Sequence, residues 1–162
     1  MTEIKYMIEN IDAVFTSEDL SVLLFYSKNI NNNIASKIFF SLRKKTMFDL
    51  HNNLETLSDP SDDLPAYFNI SYLQDAISFI NSQLIPAMQS ETLDIWQKYG
   101  GFSSLKSQIN NNLSNDWSSE LYIQSDYVPE SFQYYINIAN EIKTLFQKSL
   151  SLNTPLIVSY LD

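Results

Sequence analysis

Apolar side chains recur three and four residues apart along most of this chain, a spacing that favours helices turning one face to a shared interior. At the N-terminus Ile4, Met7, Ile8, Ile11, Val14 and Phe15 fall on one side of a helical period and predict a first helix. Thr16 predicts the start of a second helix, running to about Lys28. Its hydroxyl can accept an orphan amide, and Glu18 and Asp19 stand where the helix dipole is positive. The asparagines of "NINNN" at 29–33 compete for backbone hydrogen bonds and predict a break, after which Ile34, Ile38, Phe39 and Leu42 resume the period.

The same signals continue to the C-terminus. Leu73, Ile77, Ile80 and Leu84 form a stripe that Pro86 is expected to stop, since proline supplies no amide to the preceding turn. Gly100 and Gly101, the only two glycines, predict a left-handed helix terminus. A long helix from about Pro129 carries Phe132, Tyr135, Ala139, Ile142 and Phe146 on one stripe, with Ile138 and Leu145 on another side, so it should lie centrally. "LIVSYL" at 156–161 reads equally as a short strand or an apolar tail. The expected fold is therefore all-α: one helical domain over residues 1–162, a bundle of about six to eight helices, with at most a short extended segment at its C-terminal end.

Composition removes several chemistries. The chain has no cysteine, so it has no disulfide, thiolate metal site or cysteine nucleophile. His51 is the only histidine, and a lone imidazole beside Leu50 and Asn52 reads as a surface or core-edge residue. Two adjacent glycines do not make a phosphate loop. In "DPSDDLPAYFNI" the acids alternate as in a calcium loop, but Leu64 takes the place of the turn glycine and Ile70 that of the closing glutamate. No cofactor or metal is expected. The start of the chain lacks the basic, then apolar, pattern of a secretory leader, and no run is long enough for a membrane span, so a soluble cytoplasmic protein is expected.

The formal net charge is −9, and its distribution is uneven. Thr46 to Gln97 and Ser107 to Ile142 contain no lysine or arginine, which disfavours direct binding to nucleic acid. Within the second stretch, residues 111–135 hold four carboxylates and six aromatic rings. Asp116, Trp117, Glu120, Tyr122, Asp126, Tyr127 and Glu130 are the candidate partner-binding residues, and Asp59, Asp62 and Asp63 of "SDPSDD" a second acidic patch. Tyrosine and tryptophan supply contact area at interface centres, while carboxylates beside them steer and orient a cationic partner. The competing reading is packing, with Trp117, Leu121, Tyr127 and Val128 turned inward and the carboxylates solvated.

In composition and charge the chain resembles the small acidic immunity proteins that bacteria make against their own secreted toxins, many of which are nucleases. The resemblance implies stoichiometric binding of a basic toxin domain, masking its nucleic-acid site or another surface, without catalysis. Two other classes stay open: a phage or host regulatory adaptor that binds a basic protein, and an enzyme working with carboxylates alone. The adaptor's gene would lack a neighbouring toxin, and the enzyme would need a deep pocket with converging acids.

Overall fold

The chain's structure, a computed structural model, describes residues 3–39, 67–68, 70–113 and 123–161. It opens with strands rather than a helix. β1 (Glu3–Ile8) and β2 (Ile11–Thr16) form an antiparallel hairpin in which Ile8 faces Ile11 and Glu3 faces Thr16. The all-α expectation is thereby corrected: the protein combines an antiparallel sheet with helices. Ile4, Ile8, Ile11 and Phe15 satisfied a helical spacing, but Ile4, Tyr6 and Ile8 also alternate with Glu3, Lys5 and Met7. Burial follows that alternation. Isoleucine, tyrosine, valine and threonine favour the pleated surface, and Glu9, at φ 54°, makes the two-residue turn without a glycine.

"LIVSYL" is a strand, β4 (Leu156–Leu161), which lies beside β1, and a two-residue β3 (Tyr67–Phe68) lies beside β4. The sheet order is β2-β1-β4-β3, with antiparallel neighbours throughout. One face is apolar: Ile4, Tyr6, Ile8, Ala13, Phe15, Phe68, Leu156 and Val158 are all buried.

Six helices are seen among the described residues. α1 (Ser17–Ile30) starts at the Thr16 cap, whose hydroxyl accepts the Asp19 amide at 3.1 Å. It ends at the expected asparagines, and α2 (Asn32–Phe39) follows. α3 comprises Ile70–Phe79, a π turn at Ile80–Leu84 and a last segment Ile85–Gln89. Pro86 does not stop it. The wider π turn just before the proline accommodates its ring and its missing amide without ending the helix. α4 (Ile95–Lys98) closes on Gly100 and Gly101 at φ 90° and 114°, the left-handed terminus expected there, and α5 (Phe102–Leu113) follows.

α6 (Phe132–Leu152) is the central element, capped by the Ser131 hydroxyl, which accepts the Tyr134 amide. It buries both predicted stripes. The edge-to-face rings of Phe15, Tyr6, Phe68 and Phe146, with centroids 5.0 to 5.2 Å apart, join the sheet to this helix. Asn153 at φ 50° then turns the chain back into β4. β2 runs directly into α1, and the contacts of Asp19 with Tyr127 and Tyr134 bring the N-terminal ends of α1 and α6 together.

Candidate functional site

Glu18 and Asp19 lie in the first turn of α1, where capping acids normally face water, yet they are only 4% and 6% exposed. The cause is the segment 123–131, which crosses over the start of α1 before entering α6. Asp19 accepts two phenols, Tyr127 on Oδ1 and Tyr134 on Oδ2, both at 2.7 Å. Glu18 Oε2 accepts the Gln124 amide at 3.0 Å.

A proton count gives direction to the rest of the network. Tyr127 has one hydroxyl proton, which goes to Asp19, so in its 2.8 Å contact with Tyr135 it is the acceptor. Tyr135 accepts the Glu130 amide at 3.0 Å. The relay therefore runs from the Glu130 amide through Tyr135 and Tyr127 to Asp19, ending on an acceptor-only carboxylate. Other ties hold the segment's beginning. The Asn110 side chain bonds both the amide and the carbonyl of Ile123, at 2.8 and 2.9 Å, and the Lys106 ammonium donates to the Ser125 carbonyl at 2.7 Å.

These bonds set which side chains face out. Tyr127 is half-buried and Pro129 buried, whereas Asp126, Val128 and Glu130 between and beside them are exposed, Val128 by 65%. The segment thus presents acid, valine, acid on a backbone braced from behind. In front lies a cleft of about 360 Å³ lined by Thr16, Glu18, Asp19, Gln124, Asp126, Tyr127, Val128, Glu130 and Tyr134. Four of these residues are carboxylates and none is a lysine or arginine.

The phenols are tuned as this geometry requires. Burial, then the neighbouring Tyr135 and Asp19, drive the Tyr127 phenol far above its ordinary value. Burial and then Asp19 raise Tyr134. Burial raises Tyr135 to about 12, against the opposing effect of the Glu130 amide whose hydrogen bond it accepts. All three therefore stay protonated, so Tyr127 and Tyr134 can act as donors to Asp19 at neutral pH. The same device appears on the other end of α1, where Tyr26 donates to Glu91 at 3.2 Å and Lys98 pairs with the second Glu91 oxygen at 3.1 Å.

Of the residues singled out from sequence, Asp126, Tyr127 and Glu130 come together here, with Tyr127 turned inward and the two acids outward. Asp116, Trp117, Glu120, Tyr122, Asp59, Asp62, Asp63 and His51 lie outside the described residues. Glu18, Asp19 and Tyr134 were not anticipated as parts of a site. Among the described residues no group of three or more His, Cys, Asp or Glu side chains is placed to hold a metal ion. No helix among them is long and apolar enough to cross a membrane. Comparison with protein-family models, curated proteins and solved structures finds no match.

Proposed function

We propose that the chain is a non-enzymatic binding protein that docks a basic protein on this acidic cleft, most simply as a cytoplasmic immunity-type inhibitor that neutralises a toxin stoichiometrically. The observation that carries the reading is the exposed Asp126-Val128-Glu130 edge of a cleft with four carboxylates, held on a braced backbone. Exposed acids attract a cationic surface over a range of about a Debye length and so speed encounter. A braced segment loses little conformational entropy on binding, which leaves more of the contact energy as affinity. Val128 supplies an apolar contact at the rim between the two acids.

The test is association kinetics against the product of the adjoining gene. Replacing Asp126 and Glu130 together by lysine should slow association by roughly tenfold or more at low salt and flatten its salt dependence. Unchanged kinetics in the folded variant would place the interface elsewhere. Absence of any complex with wild type would defeat the immunity reading and favour an adaptor that binds another basic protein.

A further inference from the structure

Among the described residues the sheet leaves one long edge open, and that edge ends at the cleft. Among the described strands β2 pairs with β1 on one side only. Because the hairpin closes with Ile8 opposite Ile11 across a two-residue turn, Ile11, Ala13 and Phe15 direct their backbone groups to β1. Asp12 and Val14 direct their amides and carbonyls the other way, as Thr16 does its amide. Among the described residues no backbone bond from outside the hairpin reaches these positions. Within β2 itself the usual protections of an edge strand are missing. The β1–β2 register runs without a bulge from Ile11 to Thr16, β2 contains no proline, and Val14 at its middle is 48% exposed. Its one charged side chain, Asp12, is paired with Lys5 at 3.4 Å.

We infer that β2 receives an extended segment of the basic partner as a fifth strand, and that a lysine or arginine of that segment, carried past Thr16, enters the carboxylate cleft. The proposal rests on the cleft being the docking site and names how the partner reaches it. Thr16 belongs to both features: it is the last residue of β2 and lines the cleft with Glu18, Asp126 and Glu130. A strand laid along Asp12, Val14 and Thr16 gains main-chain hydrogen bonds, while alternate side chains read the surface beside it. An incoming residue on the outer face meets Val14, so a β-branched side chain fits there.

Charge selects this occupant over a second copy of the chain. Antiparallel pairing of two β2 strands would bring the Glu9 and Asp12 end of each toward the Glu18, Asp126 and Glu130 end of the other. With a net charge of −9 on each copy, that arrangement is repulsive at both ends. A cationic strand meets neither penalty.

The experiment uses isotope-labelled full-length chain and a model peptide of about eight residues, alternating valine and threonine with lysine at both ends. Amide exchange and chemical shifts are followed through a titration, with a glutamate-ended peptide of the same core beside it. The proposal predicts that the Asp12, Val14 and Thr16 amides slow by roughly tenfold or more at saturation, while Ile11, Ala13 and Phe15, already bonded, change little. Glu18 and Val128 should shift with them. The lysine-ended peptide should bind roughly tenfold or more tightly than the glutamate-ended one. Methylating alternate peptide nitrogens should abolish the protection without touching the protein. V14P should do the same from the protein side, since the amide it removes faces outward.

No slowing at Asp12 and Val14 at millimolar peptide would overturn the inference, as would equal binding by the two peptides. Slowing of those amides with protein concentration alone would overturn it in favour of a second copy. If the edge fails while charge reversal at Asp126 and Glu130 still slows association with the natural partner, the cleft stands alone; if both fail, the cleft reading falls too.

Discussion

Tyr127→Phe removes one oxygen and keeps the ring, so it isolates what the hydroxyl relay contributes. In the wild type that oxygen donates to Asp19 at 2.7 Å and accepts from Tyr135 at 2.8 Å. Deleting it costs one hydrogen bond to a charged acceptor, about 1.5–3 kcal/mol, and leaves the buried Tyr135 hydroxyl without its acceptor, about 1 kcal/mol more. The two contributions overlap, and a net loss of about 2–4 kcal/mol is expected. Against a typical total stability of about 5–15 kcal/mol, this is a large fraction. Tyr134→Phe is the internal control. It removes an equally short bond to the same carboxylate, but Tyr134 is 38% exposed, so water can satisfy Asp19 Oδ2 and the loss should be below about 1 kcal/mol. Urea denaturation followed by circular dichroism gives both values from midpoint shifts at constant slope. If Tyr127→Phe lies within about 0.5 kcal/mol of wild type, or if the two variants are equally destabilised, the relay does not brace the segment.

Further outcomes follow from other features. Tyr135 titrates at about 12 in the folded protein against 10.0 for the free phenol. A group raised on folding contributes stability that is complete below the unfolded value and is lost as pH rises through the folded one. Unfolding free energy should therefore fall from about pH 10 toward pH 12, and the Tyr135 ring resonances of the folded protein should hold through pH 10 and move only toward pH 12; movement centred near pH 10 in the folded protein would contradict it. Glu9→Gly should raise stability by about 0.5–1 kcal/mol, because Glu9 holds φ 54° in the hairpin turn, and a loss of stability would mean the side chain matters more than its backbone strain. Ile142→Ala, at a position with 0% exposure on α6, should cost about 2–5 kcal/mol in the same denaturation assay, and an unchanged midpoint would remove Ile142 from the core.

The helical half of the fold was legible because its signals are local. Thr16 with Asp19, the asparagines after Ile30, the two glycines after Tyr99 and the double stripe of α6 each lie within a few residues of the element they define. The hairpin was misread because Ile4, Ile8, Ile11 and Phe15 satisfy a helical spacing, while the alternation of Ile4, Tyr6 and Ile8 depended on giving Tyr6 an inward role. The turn at Glu9 and Asn10 carries no glycine to announce it. Pro86 was misread because a π turn upstream can relieve a proline, and nothing in composition marks such a turn. The site was half-visible for a different reason. Asp126 and Glu130 stand out within their own segment, but Tyr127 and Tyr134 reach Asp19 across 108 and 115 residues of chain. From sequence, Glu18 and Asp19 look like ordinary capping acids, and only tertiary packing buries them. The clue available was a row of tyrosines at 127, 134 and 135 in a stretch without lysine or arginine, which calls for buried acceptors.

The most direct test of the docking surface is the footprint of a bound basic partner on the isotope-labelled chain. Amide shifts and exchange rates would be compared between free chain and complex at matched salt. The account predicts that the largest changes fall on Asp126 to Glu130 and on Thr16 to Asp19, the two segments that form the cleft. A footprint confined to α3 or α5, with residues 124–130 unchanged, would contradict it.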